Sequence, residues 1–180
     1  MAFYEAAKVT KVYPAEGETR IAPAPGALCS RRIIQARMDA DLIAYDANTG
    51  AICRDFGQDG KVSMMVGIGD VKFGPRFSWA YPSQPAVVGN LIVVGGWVFD
   101  GRALDEPSGV VRAFSADTDA LVCAWDLGNP AIAKLPPEGE AYTRSTPNMC
   151  THPAVDEAPG LVYLPDDNQQ PDSGAVTARR

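Results

Sequence analysis

A stretch of this chain is written twice. Leu42-Ile-Ala-Tyr-Asp-Ala-Asn-Thr-Gly-Ala-Ile-Cys53 returns as Val111-Arg-Ala-Phe-Ser-Ala-Asp-Thr-Asp-Ala-Leu-Val122, with Tyr45 on Phe114 and Thr49 on Thr118, an offset of 69 (114 − 45). The match continues through Ala51 and Ala120 to Phe56 and Trp125. Each copy reads as a short strand ending in an aromatic residue, a polar turn, and a second short strand. A strand-turn-strand unit repeated at long period cannot bury its own faces and needs neighbours of the same kind, which is the pattern of radially arranged sheets. The expected fold is therefore all-β, part of a propeller.

The 15 Pro and 17 Gly, spread among short apolar runs, agree with many strands and turns and few helices. At 180 residues, 46% hydrophobic and 21% charged, the chain reads as a single globular unit. Residues 1–29 are rich in Ala, Pro and Glu and read as a connecting segment, residues 30–172 carry the blades, and 173–180 form a small polar tail. Arg31 to Tyr45 gives two strands around an Asp39-Ala-Asp41 turn. Residues 61–81 read as a long loop, in which Met64-Met65 and the aromatics Phe73, Phe77 and Trp79 form either a lid or a packed face. Pro85 to Gly96 is a hairpin turning at Gly89-Asn90, and Pro153 to Pro165 is another, turning between Asp156 and Gly160. The sum is about two blades and the start of a third, too few to close a ring and expected to leave sheet edges open to self-association.

Charge excludes one class of partner. With a formal net charge of −6 and only two basic pairs, Arg31-Arg32 and Arg179-Arg180, the chain lacks the basic surface that nucleic acid requires. Small neutral or cationic ligands suit it better. Cys29, Cys53, Cys123 and Cys150 are far apart, and with the single His152 they make no familiar zinc spacing. Cys29 and Cys53 flank one strand pair, so a disulfide and two buried thiols are both open readings. His152, beside Pro153, reads as a structural or exposed residue. Neither a signal peptide nor an apolar window of ~20 residues is visible, so the protein is expected either to be cytosolic or to take its address from residues upstream of Met1.

The family signal lies in an ordered set of segments. Cys29-Ser-Arg-Arg-Ile-Ile precedes the first repeat, Ser108-Gly-Val-Val-Arg-Ala-Phe opens the second, and Thr146-Pro-Asn, Leu161-Val-Tyr-Leu-Pro and Asn168-Gln-Gln-Pro-Asp172 follow. Over roughly residues 2 to 172 this order resembles the pyrroloquinoline quinone (PQQ)-dependent dehydrogenases, most closely the membrane-bound glucose and quinate type. The resemblance implies an eight-bladed propeller that binds PQQ with Ca²⁺ or Mg²⁺, oxidises a sugar, polyol or cyclic alcohol or acid, and passes electrons to ubiquinone at the periplasmic face of the inner membrane. It also implies site residues. Asp100, Asn168 and Gln170 match metal-side positions, the last where glucose-type enzymes carry Thr; Ser83, Val98, Phe99, Asn148 and Cys150 match cofactor-side positions. A hard cation would take such oxygen donors and polarise a quinone carbonyl.

The departures are equally specific. Cys150 stands where the family places the aromatic floor under the quinone, and a thiol offers no flat π surface. Pro82-Ser-Gln-Pro85 keeps a Ser but not the usual Thr, and Asp166-Asp167 replaces the usual Gly beside the metal-side Asn, adding charge to a tight turn. By the same resemblance a cofactor-binding Arg falls before Met1 and the catalytic Asp beyond Arg180. The expectation is a dehydrogenase segment inactive by itself. The competing reading is a cofactor-free scaffold protein of the cell envelope built from similar blades.

Overall fold

The computed structural model describes residues 27–72, 79–80, 84–99, 104–116 and 118–168. Among these there is no helix, and hence none long and apolar enough to cross a membrane. All strand pairing is antiparallel.

The first sheet is β1 (Arg32–Ala36), β2 (Asp41–Asp46) and β3 (Lys61–Ser63), in that order. β4 (Trp79–Ala80) pairs with β7 (Trp97–Val98) as a separate ribbon. A four-stranded meander contains β5 (Ala86–Val88), β6 (Leu91–Gly95), β8 (Val111–Ser115) and β9 (Leu121–Trp125), and is a complete blade. The last hairpin, β10 (Ala154–Asp156) with β11 (Leu161–Tyr163), begins a further sector. Three, four and two strands thus follow one another along the chain, as expected for two blades and the start of a third.

The repeat holds at the level of single hydrogen bonds. In the first copy Asp46 N–H donates to Ala51 O (2.7 Å), Gly50 N–H to Asp46 O (2.9 Å) and Ala47 N–H to Arg31 O (2.9 Å). Shifted by 69 positions, Ser115 N–H donates to Ala120 O and Asp119 N–H to Ser115 O, while Ala116 N–H, the counterpart of Ala47, donates to Asn90 O, the residue just before β6 as Arg31 is the residue just before β1, each at 2.9 Å. Side chains cap both turns in the same way: Thr49 N–H donates to Asp46 Oδ1 and Thr118 N–H to Ser115 Oγ. Gly50 and Asp119 both take positive φ, 72° and 62°.

Two expectations need correction. After the first turn, the returning segment makes only the bridge Tyr45↔Ile52 instead of a strand. The rest of that edge goes to β3, which pairs Lys61, Val62 and Ser63 with Ile43, Leu42 and Asp41. Residues 61–63 are therefore blade and not loop; a three-residue strand with both ends exposed carries no apolar run to announce it. The loop proper begins at Met64, whose fully buried side chain belongs to the main core with Phe56, Ile68, Ile92, Phe114 and Tyr142. Of the two readings of Met64-Met65, packing is the one observed. Phe73 and Phe77 lie outside the described residues, and of Trp79 only the backbone is described.

The two cysteines flanking the first strand pair are joined, Cys29–Cys53, across 24 residues. Closing a loop of that length contributes about 3 kcal/mol on the chain-entropy account. Beside it Asp46, 1% exposed, accepts hydrogen bonds from Cys29 N–H (2.6 Å), Asn48 N–H, Thr49 N–H and Thr49 Oγ1–H. The Cys29 amide, foremost, then the Thr49 hydroxyl, hold this carboxyl below its ordinary 3.8, against the opposing effect of burial. A carboxylate lowered on folding stabilises the protein above its unfolded pKa, and the gain is lost as pH falls through the folded value. Asp46→Asn should accordingly flatten the acid limb of stability against pH below about 4, and a urea-midpoint series from pH 2 to 6 reads it.

Candidate functional site

The site-forming part of the chain is assembled by two close backbone approaches. Gly109 passes so near residue 147 that a Cβ there would lie 1.8 Å from Pro147 O, and Gly95 lies under the Met149 side chain, 2.8 Å from an added Cβ. Only glycine permits either contact. Thr146 Oγ1 accepts from Gly109 N–H (2.9 Å), while Ser145 N–H donates to Glu106 O (3.0 Å). The 145–149 segment is thereby laid along the chain that leads into β8.

Asn148 lies at the centre of this contact and is fully buried. Its Oδ1 accepts from Val98 N–H (3.0 Å), and its Nδ2–H₂ donates to Asp167 Oδ1 (3.0 Å). The Asn148 backbone donates to the same Asp167 oxygen (3.0 Å) and accepts from Asp167 N–H (3.0 Å). Asp167 Oδ2 takes a third donor, the Cys150 thiol, at 3.0 Å. One amide side chain thus joins the end of β7, the 148–150 segment and the 166–168 segment, and a bridge between Met149 and Asp166 reinforces the join.

Four sequence-predicted residues fall into this cluster or adjoin it: Val98 and Asn148 directly, Cys150 through Asp167, and Asn168 as the next residue in the chain, exposed. Phe99 packs its ring edge-to-face on Trp97, centroids 5.0 Å apart. Ser83, Asp100 and Gln170 lie outside the described residues. His152 is exposed, with Nδ1 3.5 Å from the Thr151 hydroxyl.

Sequence reasoning missed Asp167, which it weighed only as added charge. The structure satisfies that charge with three donors. Its neighbour Asp166 differs: Oδ1 is buried and has no hydrogen-bond partner among the described residues. Burial, and secondarily the Asp167 charge, raise the Asp166 carboxyl above its ordinary 3.8. Asp166 Oδ1, a buried carboxyl oxygen without a donor two positions before Asn168 in the chain, is a hard oxygen atom of the kind Ca²⁺ and Mg²⁺ take. The floor side of a quinone site is a poorer match, since the exposed Cys150 thiol supplies no ring.

Comparison with known proteins agrees with this reading of the blades. Residues 6–179 match the family model described as PQQ: Glucose/ethanol/alcohol dehydrogenase, beta-propeller domain. The chain is 37% identical over 147 residues to the glycerol dehydrogenase large subunit of Gluconobacter oxydans, covering 82% of this chain and 19% of that protein. It is 39% identical over 137 residues to the quinate/shikimate dehydrogenase (quinone) of Acinetobacter baylyi, covering 76% and 17%. Identity to the quinoprotein glucose dehydrogenase of Escherichia coli is 33% over 160 residues, covering 89% and 20%. The chain spans about a fifth of the length of these relatives. A match along nearly the whole chain, joined to antiparallel blades and the bond-for-bond repeat, makes this protein a member of the glucose/ethanol/alcohol dehydrogenase β-propeller family.

Proposed function

We propose that this chain is a segment of a PQQ-dependent dehydrogenase that oxidises a sugar, polyol or cyclic alcohol or acid and delivers electrons to ubiquinone. The observation that carries the reading is the family match over residues 6–179, and the unpartnered Asp166 oxygen, two positions before Asn168 in the sequence, supports a hard-cation side there. When bound, the quinone would supply a hydride acceptor and the cation a Lewis acid on its carbonyl. Asp100, Asn168 and Gln170 would hold the cation; Ser83, Val98 and Phe99 would contact the cofactor. Asn148 is assigned to holding the walls in register, because both atoms of its amide already serve Val98 and Asp167.

The Cys29–Cys53 disulfide supports an oxidising compartment, in keeping with the periplasmic face of a membrane. The family resemblance puts the general base that takes the alcohol proton past Arg180, and on that reading the 180 residues by themselves are inactive. Open blade edges favour self-association of the isolated segment. With PQQ and Ca²⁺ added, the isolated chain should reduce an artificial electron acceptor with glucose, glycerol or quinate no faster than free cofactor does. Calorimetric titration should nevertheless show Ca²⁺ binding that Asp100→Ala weakens. Unchanged affinity in that variant removes Asp100 from the site, and absence of any Ca²⁺ binding favours the cofactor-free scaffold.

A further inference from the structure

Away from that cluster, the fold gathers Cys29, Cys53 and Asp55 so that one ligand atom from each lies within 4.8 Å of the others. Both cysteines are buried, at 6% and 0% exposure, and Asp55 is the exposed member. The sulfurs are now bonded to each other and ligate nothing. We propose that reduction of the Cys29–Cys53 disulfide converts this place into a thiolate site for a borderline-soft divalent cation of the zinc class, so that the first blade is held by a disulfide under oxidising conditions and by a metal under reducing ones.

Three features support the proposal. The first is ligand chemistry: two thiolates and a carboxylate, with water in a fourth position, make a tetrahedral set that Zn²⁺ and Co²⁺ accept and Ca²⁺ and Mg²⁺ do not favour. The second is charge. Arg32, 92% buried by its 8% exposure, donates through Nε to Cys29 O (3.2 Å) and through Nη2 to Asp55 Oδ2 (2.5 Å). Two thiolates and the Asp55 carboxylate against a divalent ion and one guanidinium sum to zero, with the neighbouring Asp46 carboxylate met separately by its own N–H and O–H donors, and a fixed cation nearby favours thiolates. Arg32 Nη1 is buried without a hydrogen-bond partner among the described residues, so the guanidinium also has a donor to spare. The third is scaffolding. Cys53 N–H donates to Ala44 O (2.9 Å) and Cys29 N–H to Asp46 Oδ2 (2.6 Å), bonds that leave both backbones anchored after the sulfur bridge opens.

The chemistry balances with a dithiol reductant. The dithiol gives two electrons and two protons, the S–S bond breaks, Cys29 and Cys53 become thiols, and the reductant closes to its own disulfide. Metal binding then releases the two thiol protons.

The test uses the 180-residue chain carrying Cys123→Ser and Cys150→Ser, which removes the two exposed thiols. After reduction and anaerobic desalting, Co²⁺ should bind one per chain with sulfur-to-cobalt charge-transfer absorption, and Zn²⁺ should displace it. Reoxidation before the titration should abolish the band. Asp55→Ala, on the surface and outside the core, should weaken Co²⁺ binding about tenfold or more. Cys53→Ser should eliminate the thiolate band. A reduced, folded chain that gives no such band overturns the proposal, as does a band that survives Cys53→Ser or an affinity indifferent to Asp55→Ala.

Discussion

Asn148→Ala is expected to cost about 3 kcal/mol and to loosen the 166–168 segment from the rest of the molecule. The side chain is fully buried and has two clients. Removing it strands the Val98 N–H without an acceptor and takes from Asp167 one of its three donors, while the backbone donor and the Cys150 thiol remain. The urea midpoint should fall with little change in slope, and amide exchange should quicken at Val98 and Asp167 before it does in β1 and β2. Asn148→Asp separates the two roles. An aspartate there still accepts from Val98 N–H but places a carboxylate oxygen where Nδ2 lies 3.0 Å from Asp167 Oδ1. Its deficit should therefore be large at neutral pH and shrink on acidification as one of the two carboxyls takes a proton. If the loss in Asn148→Asp is independent of pH, Asp167 does not carry its charge toward Asn148.

This clamp shows why the sequence discloses blades more readily than sites. The turns at Asp46 and Ser115 close locally: the bonds Asp46 N–H to Ala51 O and Gly50 N–H to Asp46 O, and their counterparts from Ser115 and Asp119, span five residues or fewer, and the same pattern recurs at the offset of 69. Short apolar runs with Gly-Asn or Pro-Gly punctuation likewise mark the hairpins β5–β6 and β10–β11. Asn148, by contrast, acts on Val98 at a separation of 50 and on Asp167 at 19. No period in the sequence connects those three. The resemblance directed attention to residues 148, 150 and 168, yet only coordinates reveal that Asp167, read first as surplus charge, joins Asn148 and Cys150. The cysteine pair was half legible: flanking one strand pair made bonding feasible, but Asp55 and Arg32 enter only once the blade is folded.

The repeat itself hints at the most strongly buried cation among the described residues. Position 112 aligns with Ile43, which is 1% exposed in β2, and the second copy puts an arginine there that is 2% exposed. Such a substitution is tolerable only if most of the guanidinium is met, and here both terminal nitrogens are, while Nε has no hydrogen-bond partner among the described residues. Arg112 Nη1 donates to Val66 O (2.9 Å) and Nη2 to Met64 O (2.5 Å), while its carbon lies 5.9 Å from the Phe114 ring centre and 5.8 Å from that of Tyr142. Tyr142 closes the arrangement from the other side, with N–H to Gly67 O (2.8 Å) and Oη–H to Lys134 O (2.6 Å). The first blade's loop and the second blade's central strand are thus tied through one cation. Arg112→Met fills most of the volume but deprives two carbonyls of donors and two rings of their cation, for an expected loss of about 4 kcal/mol. Arg112→Lys should recover only part, because an ammonium cannot reproduce the planar fork that reaches both carbonyls. A second readout distinguishes loss of the cation from loss of packing. Burial raises the Tyr142 hydroxyl above 10.0, with the Arg112 charge opposing that rise and Asp126 adding to it. In a folded Arg112→Met chain the Tyr142 titration should move further upward, followed by ultraviolet difference against Tyr142→Phe, whereas Arg112→Lys should hold it down. If Tyr142 titrates alike in all three proteins, the charge at position 112 does not act on that ring.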